Sequence, residues 1–260
     1  SNADLTDIDL SGADLTRVRS GNITGNPTLP SGYQMVSGYI VGPLANLSNA
    51  DLTYADLYNA DLTNADLSNA DLSNAFLYNV NLSGAYFLGS DLTGVRSTNI
   101  TGNPFFPSGY LIRSGYIVGP SVNLYNADLS NANLTDVDLT GASLRRVKSG
   151  NINGNPTLPS GYVMRNGYIF GPDVDLSNLS DADLTGADLS DVDLTNVDLS
   201  ASDLTGVRSG NITGTPTLPS GYLMAGGYIV GPSVNLSNTD LTDIDLSGAD
   251  LTGVISGNIT

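Results

Sequence analysis

From Ala50 the chain runs ADLTY ADLYN ADLTN ADLSN ADLSN AFLYN VNLSG AYFLG SDLTG, so the apolar positions recur every five residues. Take the leucine as position i. Ala or Val then stands at i−2, Asp or Asn at i−1, Ser or Thr at i+1, and Asn, Gly or Asp at i+2. The same phase holds at Leu5, Leu10 and Leu15, from Leu124 to Leu144, from Leu184 to Leu204, and from Leu236 to Leu251. A period of five matches neither an amphipathic helix nor a plain strand. Within each unit, however, apolar i−2 and i flank polar i−1, which is the in-out-in alternation of three extended residues. Two turn-prone polar residues then redirect the chain.

Short sides joined by corners predict a coil. Four sides close a square lap of about 20 residues, and laps stack at the interstrand spacing of about 4.8 Å. Small Ala and larger Leu alternate inside, so each layer fills a narrow core.

These units resemble the pentapeptide-repeat family, whose consensus is A(D/N)LXX. Ten pentads stand in one phase from Leu47 to Leu92, counting Phe87. The resemblance implies an all-β fold, a right-handed quadrilateral β-helix. The handedness and square section come from the family; the five-residue period, inward pair and stacking come from the residues.

A longer repeat interrupts the pentads. Blocks open at Val18, Val95, Val147 and Val207, and each continues through PSGY and GYI to GP. From block start to the next pentad is 27 residues in every copy, as from Val18 to Ala45. Each block is therefore expected to be one lap of 20 with seven extra residues in a protruding loop between Ile23 and Met35, where two prolines suit an excursion. Large residues move to i−2 (Val18, Ile23, Met35, Ile40) and small ones to i (Ser20, Gly25, Ser37, Gly42), which predicts swapped layers at constant volume. The alternative is a hairpin built from Tyr33 to Val36 and Tyr39 to Val41 that stands off the side. In either case Val18 and Ala45 should lie one lap apart on one side. Counting sides places the second block two sides round from the first. Between Val174 and Asp181 the chain is two residues short of whole pentads, which a corner or a skipped turn has to absorb.

Ser1-Asn2-Ala3 reads as an expression-tag remnant and 4–260 as one continuous β-helix of roughly 11 laps and about 55 Å. A fifth block opens at Val254 and is cut off at Thr260, so a fragment of a longer array is expected. Exposed β edges at the ends predict end-to-end self-association.

Composition narrows the chemistry. The 260 residues include 26 acids and 9 bases, a formal charge of −17, with no Cys, His or Trp. All the acids are Asp. Disulfides, Cys/His metal sites, thiol nucleophiles and imidazole acid-base catalysis are excluded. No base is at hand to activate Ser or Thr, so no enzyme activity and no cofactor are expected. The charge argues against nucleic acid as a partner, and no apolar run is long enough to span a membrane.

About 20 of the Asp residues occupy i−1. They read as a solvated outer face, with a calcium ladder as a minor alternative. Another branch of the family inhibits DNA gyrase by imitating DNA; it favours Phe at i and dimerises through a C-terminal helix, whereas Leu fills i here. The bases Arg17, Arg19, Arg96, Arg145, Arg146, Lys148 and Arg208 cluster at block entrances, where pairing with Asp is expected. The block tyrosines Tyr33, Tyr39, Tyr110, Tyr116, Tyr162, Tyr168, Tyr222 and Tyr228 cover the loop bases or form a contact platform for a partner. Tyr54, Tyr58, Tyr78, Tyr86 and Tyr125 are scattered outward positions. The expected role is a non-catalytic scaffold that binds another protein. The alternatives are an acidic DNA-mimic inhibitor and a repeat array of an exported surface protein.

Overall fold

The computed structural model describes residues 2–171, 173–177 and 179–260. They form two compact units. One takes in Ser1–Ala127, Leu134–Leu144 and Gly154–Ser160, and the other takes in Asp128–Asn133, Arg145–Asn153 and Gly161–Thr260.

In the first unit the polar i−1 residues pair in parallel with those 20 further on: Asn46 with Asp66, Asp51 with Asp71, Asp56 with Phe76 and Asp61 with Asn81. A side of five residues and a repeat of 20 make four sides per lap. Each contact is a two-way ladder. Leu47 N–H donates to the Asp66 carbonyl at 2.7 Å, and Asp66 N–H donates to the Ala45 carbonyl at 2.9 Å. The inward pairs are buried throughout, from Ala45 and Leu47 to Phe87 and Leu92. The second unit repeats the pattern, with Asp183 on Asp203 and Asp188 on Arg208, around Leu184, Leu189, Leu194 and Leu199.

Corners with Asp or Asn at i−1 are closed twice. The amide three residues after the leucine donates to its carbonyl, as Ala50 does to Leu47 at 3.0 Å. The residue before that amide takes positive φ, 58° at Asn49 and 57° at Asn59, as the third residue of a type II turn requires. Asn tolerates this region better than other side chains, which explains its recurrence at i+2. The second fastening is the i−1 carboxylate. Asp71 Oδ1 accepts from the Ser73 amide at 2.8 Å, Asp183 from Thr185 at 3.0 Å and Asp203 from Thr205 at 2.9 Å. This Asx geometry suits a one-methylene side chain, so the i−1 acids are Asp and the chain has no Glu. The outer Asp is thus a corner fastener as well as a solvated charge.

The blocks keep the register by a different device from the loop expected. Val18 and Ala45 do lie one lap apart: Asn46 N–H donates to the Val18 carbonyl at 2.9 Å. Thr24 then pairs with Asp4, and Thr28 pairs with Asp9, one residue short of a full lap. The surplus is an antiparallel hairpin, β1 (Gln34–Val36) and β2 (Tyr39–Val41), with Met35 opposite Ile40. Its turn residues Ser37 and Gly38 have φ of 49° and 77°, the double positive of a type I′ turn. β3 (Phe76–Tyr78) lies under the second block and pairs in parallel with β4 (Arg96–Thr98), the block's first side; the block's hairpin is β5 (Leu111–Arg113) and β6 (Tyr116–Val118). The third and fourth hairpins are β7 (Val163–Arg165) with β8 (Tyr168–Phe170) and β9 (Leu223–Ala225) with β10 (Tyr228–Val230).

The hairpins fold onto the coil instead of protruding. Ile23 N–H donates to the Gly38 carbonyl at 3.0 Å, and Ile40 N–H donates to Ser20 Oγ at 2.8 Å. The same amide-to-serine bond joins Ile117 to Ser97, Ile169 to Ser149 and Ile229 to Ser209. Swapped layers hold for the first side, where Val95 and Ser97 are both buried, and the large-then-small pair Ile117 and Gly119 is buried as well. Met35 and Ile40 pair across the hairpin, Met35 half-buried and Ile40 buried in the core.

The two blocks of the first unit open on different sides. Arg19 heads the column Asn46–Asp66–Tyr86, whereas Arg96 stands over Asp56 and Phe76, two sides round. In the second unit the shortened stretch is absorbed by Leu179. Its amide donates to the Leu176 carbonyl and its carbonyl accepts from Ala182, both at 3.1 Å, so one residue ends one corner and begins the next. Asn178 beside it lies outside the described residues.

Three outcomes follow from this construction. Ser97→Ala leaves the buried Ile117 amide unsatisfied and should cost about 1–3 kcal/mol in chemical denaturation. Tyr54, 67% exposed, is held at φ 56° in a corner; Tyr54→Asn should gain about 1 kcal/mol and raise Tm. The Ser73 hydroxyl and then its amide hold the Asp71 carboxyl below its ordinary 3.8, and for Asp203 the Thr205 amide acts first and its hydroxyl second. Depressed carboxyls bind fewer protons folded than unfolded, so their contribution is full above the ordinary value and lost as pH falls through the depressed ones. Tm should hold to about pH 5 and fall between about pH 4 and 2; a rise there would mean that relief of self-repulsion dominates.

Candidate functional site

The block tyrosines are built into the hairpin bases, one pair per block. Tyr33 lies half-buried with its ring over Gly42, where an added Cβ would stand 2.2 Å from the ring, and its hydroxyl donates to the Pro43 carbonyl at 2.8 Å. Tyr110 over Gly119 and Tyr222 over Gly231 repeat this, donating to Pro120 at 3.1 Å and Pro232 at 2.8 Å. The GP pair thus supplies a bare surface for the ring and a carbonyl for its hydroxyl. Tyr162 packs on Gly171 in the same way. The second tyrosine of each block faces the coil. Tyr39 lies against Gly21, and its hydroxyl accepts from the Asp51 amide at 3.0 Å. Tyr228 lies against Gly210, Tyr168 is buried and Tyr116 is half-buried. Burial first, and nearby carboxylates second, push the hydroxyls of Tyr33, Tyr110, Tyr162, Tyr168 and Tyr222 above the ordinary 10.0.

The aromatic side chains that reach solvent are others: Tyr54 and Tyr58 on the plain laps, and Tyr86, Phe105 and Tyr125 around the second block. On the column Asn46–Asp66–Tyr86 the i−1 position turns aromatic. Tyr86 stacks on Phe105 with centroids 4.8 Å apart and planes 12° apart. Both are exposed, and beside them Leu88 is 71% exposed. Where Phe105 stands, the other blocks carry Thr28, Thr157 and Thr217.

Two sides round, the Arg96 guanidinium lies 5.7 Å from the Phe76 ring and 5.5 Å from the Tyr125 ring. Phe76 and Tyr78 are tilted neighbours at 6.0 Å. Tyr78, Thr98, Tyr116 and Tyr125 line a cleft of about 420 Å³ with Arg96 at its side. Sequence reading passed over Tyr78, Tyr86 and Tyr125 as scattered. The available signal was the break in pattern: Phe76 and Tyr86 interrupt a run of Asp and Asn at i−1.

The basic residues divide. Arg145 pairs with Asp173 at 3.0 Å, both side chains well exposed. Lys148 stands between Asp128 and Asp175 in its column and Arg208 over Asp188. Among the described residues no group of three or more acids converges to hold a metal ion.

The chain can be compared with known proteins on this footing. No curated protein sequence matches it. HetL, a pentapeptide repeat protein involved in heterocyst differentiation regulation from the cyanobacterium Nostoc, is 25% identical over 99% of this chain and 82% of its own, at a TM-score of 0.22. Full-length QnrB1, a plasmid-mediated fluoroquinolone resistance protein, is 16% identical over 98% of this chain and 94% of its own, at 0.18. The sequence profile for pentapeptide repeats matches eight copies, at residues 44–69, 60–96, 121–148, 177–208 and 233–255, more than half of the chain. With inward Ala and Leu, 20-residue laps and parallel rungs, the chain belongs to the pentapeptide-repeat family and has its right-handed quadrilateral β-helix fold.

Proposed function

We propose that the protein is a non-catalytic scaffold whose second block binds another protein through the Tyr86–Phe105–Leu88 face. The observation that carries this is an exposed apolar stack on an otherwise acidic surface. Ladder and core consume the i−2 and i positions, so the outward side chains are the ones free to vary, at the cost of one corner hydrogen bond where an i−1 Asp or Asn is replaced. At most outward i−1 positions the chain spends that freedom on Asp or Asn; here it exposes aromatic area, which interfaces favour. Asp66 lies directly below Tyr86 in the column, and the chain carries −17 overall. The matching partner surface is an apolar patch rimmed by Lys and Arg. No helix among the described residues is long and apolar enough to cross a membrane.

The test replaces the patch without touching the coil. The double variant Tyr86→Asp, Leu88→Ser should keep the wild-type melting curve. A purified protein captured by the wild type should bind this variant at least about tenfold more weakly, about 1.4 kcal/mol. Equal affinity for the two would remove the face from the interaction.

A second reading, the acidic DNA mimic, draws on Asp51, Asp71 and Asp91, exposed on successive rungs of one side. Inhibition of gyrase supercoiling at micromolar protein would favour it, and no inhibition at that level would retire it.

A further inference from the structure

The second, third and fourth blocks are internal controls for one another, and their basic position is set differently in the second. In the third block Lys148 is flanked along its column by Asp128 below and Asp175 above; in the fourth, Arg208 stands over Asp188. Nearby carboxylates compensate these cations: Lys148 helps to hold Asp128 and Asp175 below the ordinary carboxyl value, after the hydrogen bonds from Ser130 and Ser177. At the corresponding place in the second block the residue below is Phe76 and the residue above is Asn123, whose amide donates to the Val95 carbonyl at 2.9 Å. The outward residues one corner along are Tyr78 below and Tyr125 above, where the third block has Ser130 and Ser177 and the fourth has Ser190 and Ser237.

This exchange of acids and serines for aromatic residues has a geometric result. Arg96 makes no ion pair with a described residue. Its guanidinium carbon lies 5.7 Å from the centroid of the Phe76 ring and 5.5 Å from that of the Tyr125 ring. A ring attracts the cation through its charge and takes up none of its five N–H donors. Tyr78 and Tyr125 stand two rungs apart, about 9.6 Å at the rung spacing, with Thr98 on the rung between them. That interval admits the thickness of one flat or apolar group between the rings. The cleft therefore places a cation whose partner within the fold has been removed beside an aromatic-walled slot.

We propose that the cleft at Arg96 is a binding site for a carboxylate carried next to an apolar group, as on a peptide, with Arg96 forking the carboxylate and Tyr78 and Tyr125 holding the apolar part. A guanidinium matches a carboxylate through two parallel hydrogen bonds, and Phe76 below and Asn123 above leave Arg96 without an acid on either adjacent rung of its column. The site lies two sides round the coil from the Tyr86–Phe105 face, so it stands or falls independently of that face.

The probe is N-acetyl-L-phenylalanine, titrated into the full chain while the Arg96 side-chain Nε–H and the Thr98 and Tyr125 amides are followed by NMR. N-acetyl-L-phenylalanine amide, with the same ring and no charge, is the first control, and inorganic phosphate is the second. The acid should give saturable shifts at these three residues and bind at least about fivefold more tightly than the amide. Arg96→Gln should abolish the difference between acid and amide, and Arg208→Gln should leave it intact. Tyr125→Ser should weaken the acid, with the melting curve unchanged. Absence of saturable shifts up to about 20 mM acid, equal binding of acid and amide, or survival of the preference in Arg96→Gln would overturn the proposal. Phosphate binding as tightly as the acid would overturn the assignment to a carboxylate.

Discussion

Every part of this protein depends on each rung falling over the one below it. One registration serves two purposes at once. It aligns the amides and carbonyls of successive laps, and it stacks Leu on Leu and Ala on Ala inside. A slip of one residue would turn the inner wall outward while breaking the ladder, because alternation has a period of two. Any irregularity must therefore return the chain in phase. The blocks do so by giving up one residue before Thr28 and adding a self-contained hairpin, and Leu179 does so by serving two corners.

Much of this was legible in the residues. The five-residue period supplied the sides, and the constant 27 from Val18 to Ala45 placed the block start and the next pentad on one column. The count of pentads correctly put the second block two sides from the first. The expected loop between Ile23 and Met35 fails because it carries the pentad phase backward from Ala45 through Ile40 to Met35, as though the chain still ran along a side, whereas the alternative hairpin of Tyr33 to Val36 and Tyr39 to Val41 names the strands that form. The local chemistry said otherwise. Ser37-Gly38, Asn166-Gly167 and Gly226-Gly227 are type I′ turn pairs between apolar runs, and that signal outranks an extrapolated phase. The role of i−1 was also half read. Its outward direction followed from alternation, but its bond to the amide two residues on depends on side-chain length, and the missing clue used too late was the complete absence of Glu.

The aromatic sites were hard to see for the opposite reason. Reading by repeat extracts what recurs, and a binding surface on a repeat scaffold is written in what does not. Tyr78, Tyr86, Phe105 and Tyr125 lie far apart in the sequence and meet only once the laps bring residues 19, 20 or 27 apart into one column. Conversely, the block tyrosines drew notice because they recur, and recurrence here marks a construction element: among the described residues Tyr33, Tyr110 and Tyr222 each lay a ring on glycine and send a hydroxyl to the following proline carbonyl.

The hairpins also change how the laps are coupled. At Asp51 the amide that would meet the backbone of the lap below instead donates to the Tyr39 hydroxyl, and Ile23 bonds to the hairpin tip. The continuous main-chain seam survives on the first side, through Asn46 and Val18, while the second is bridged by side chains. Cooperativity in a stacked array is transmitted by nearest-neighbour interfaces, so such a lap is a weaker relay than a plain one. Under a steady pull along the chain, the plain laps between Ala45 and Val95 would let go together, and the hairpin-bearing lap would be where the tear pauses.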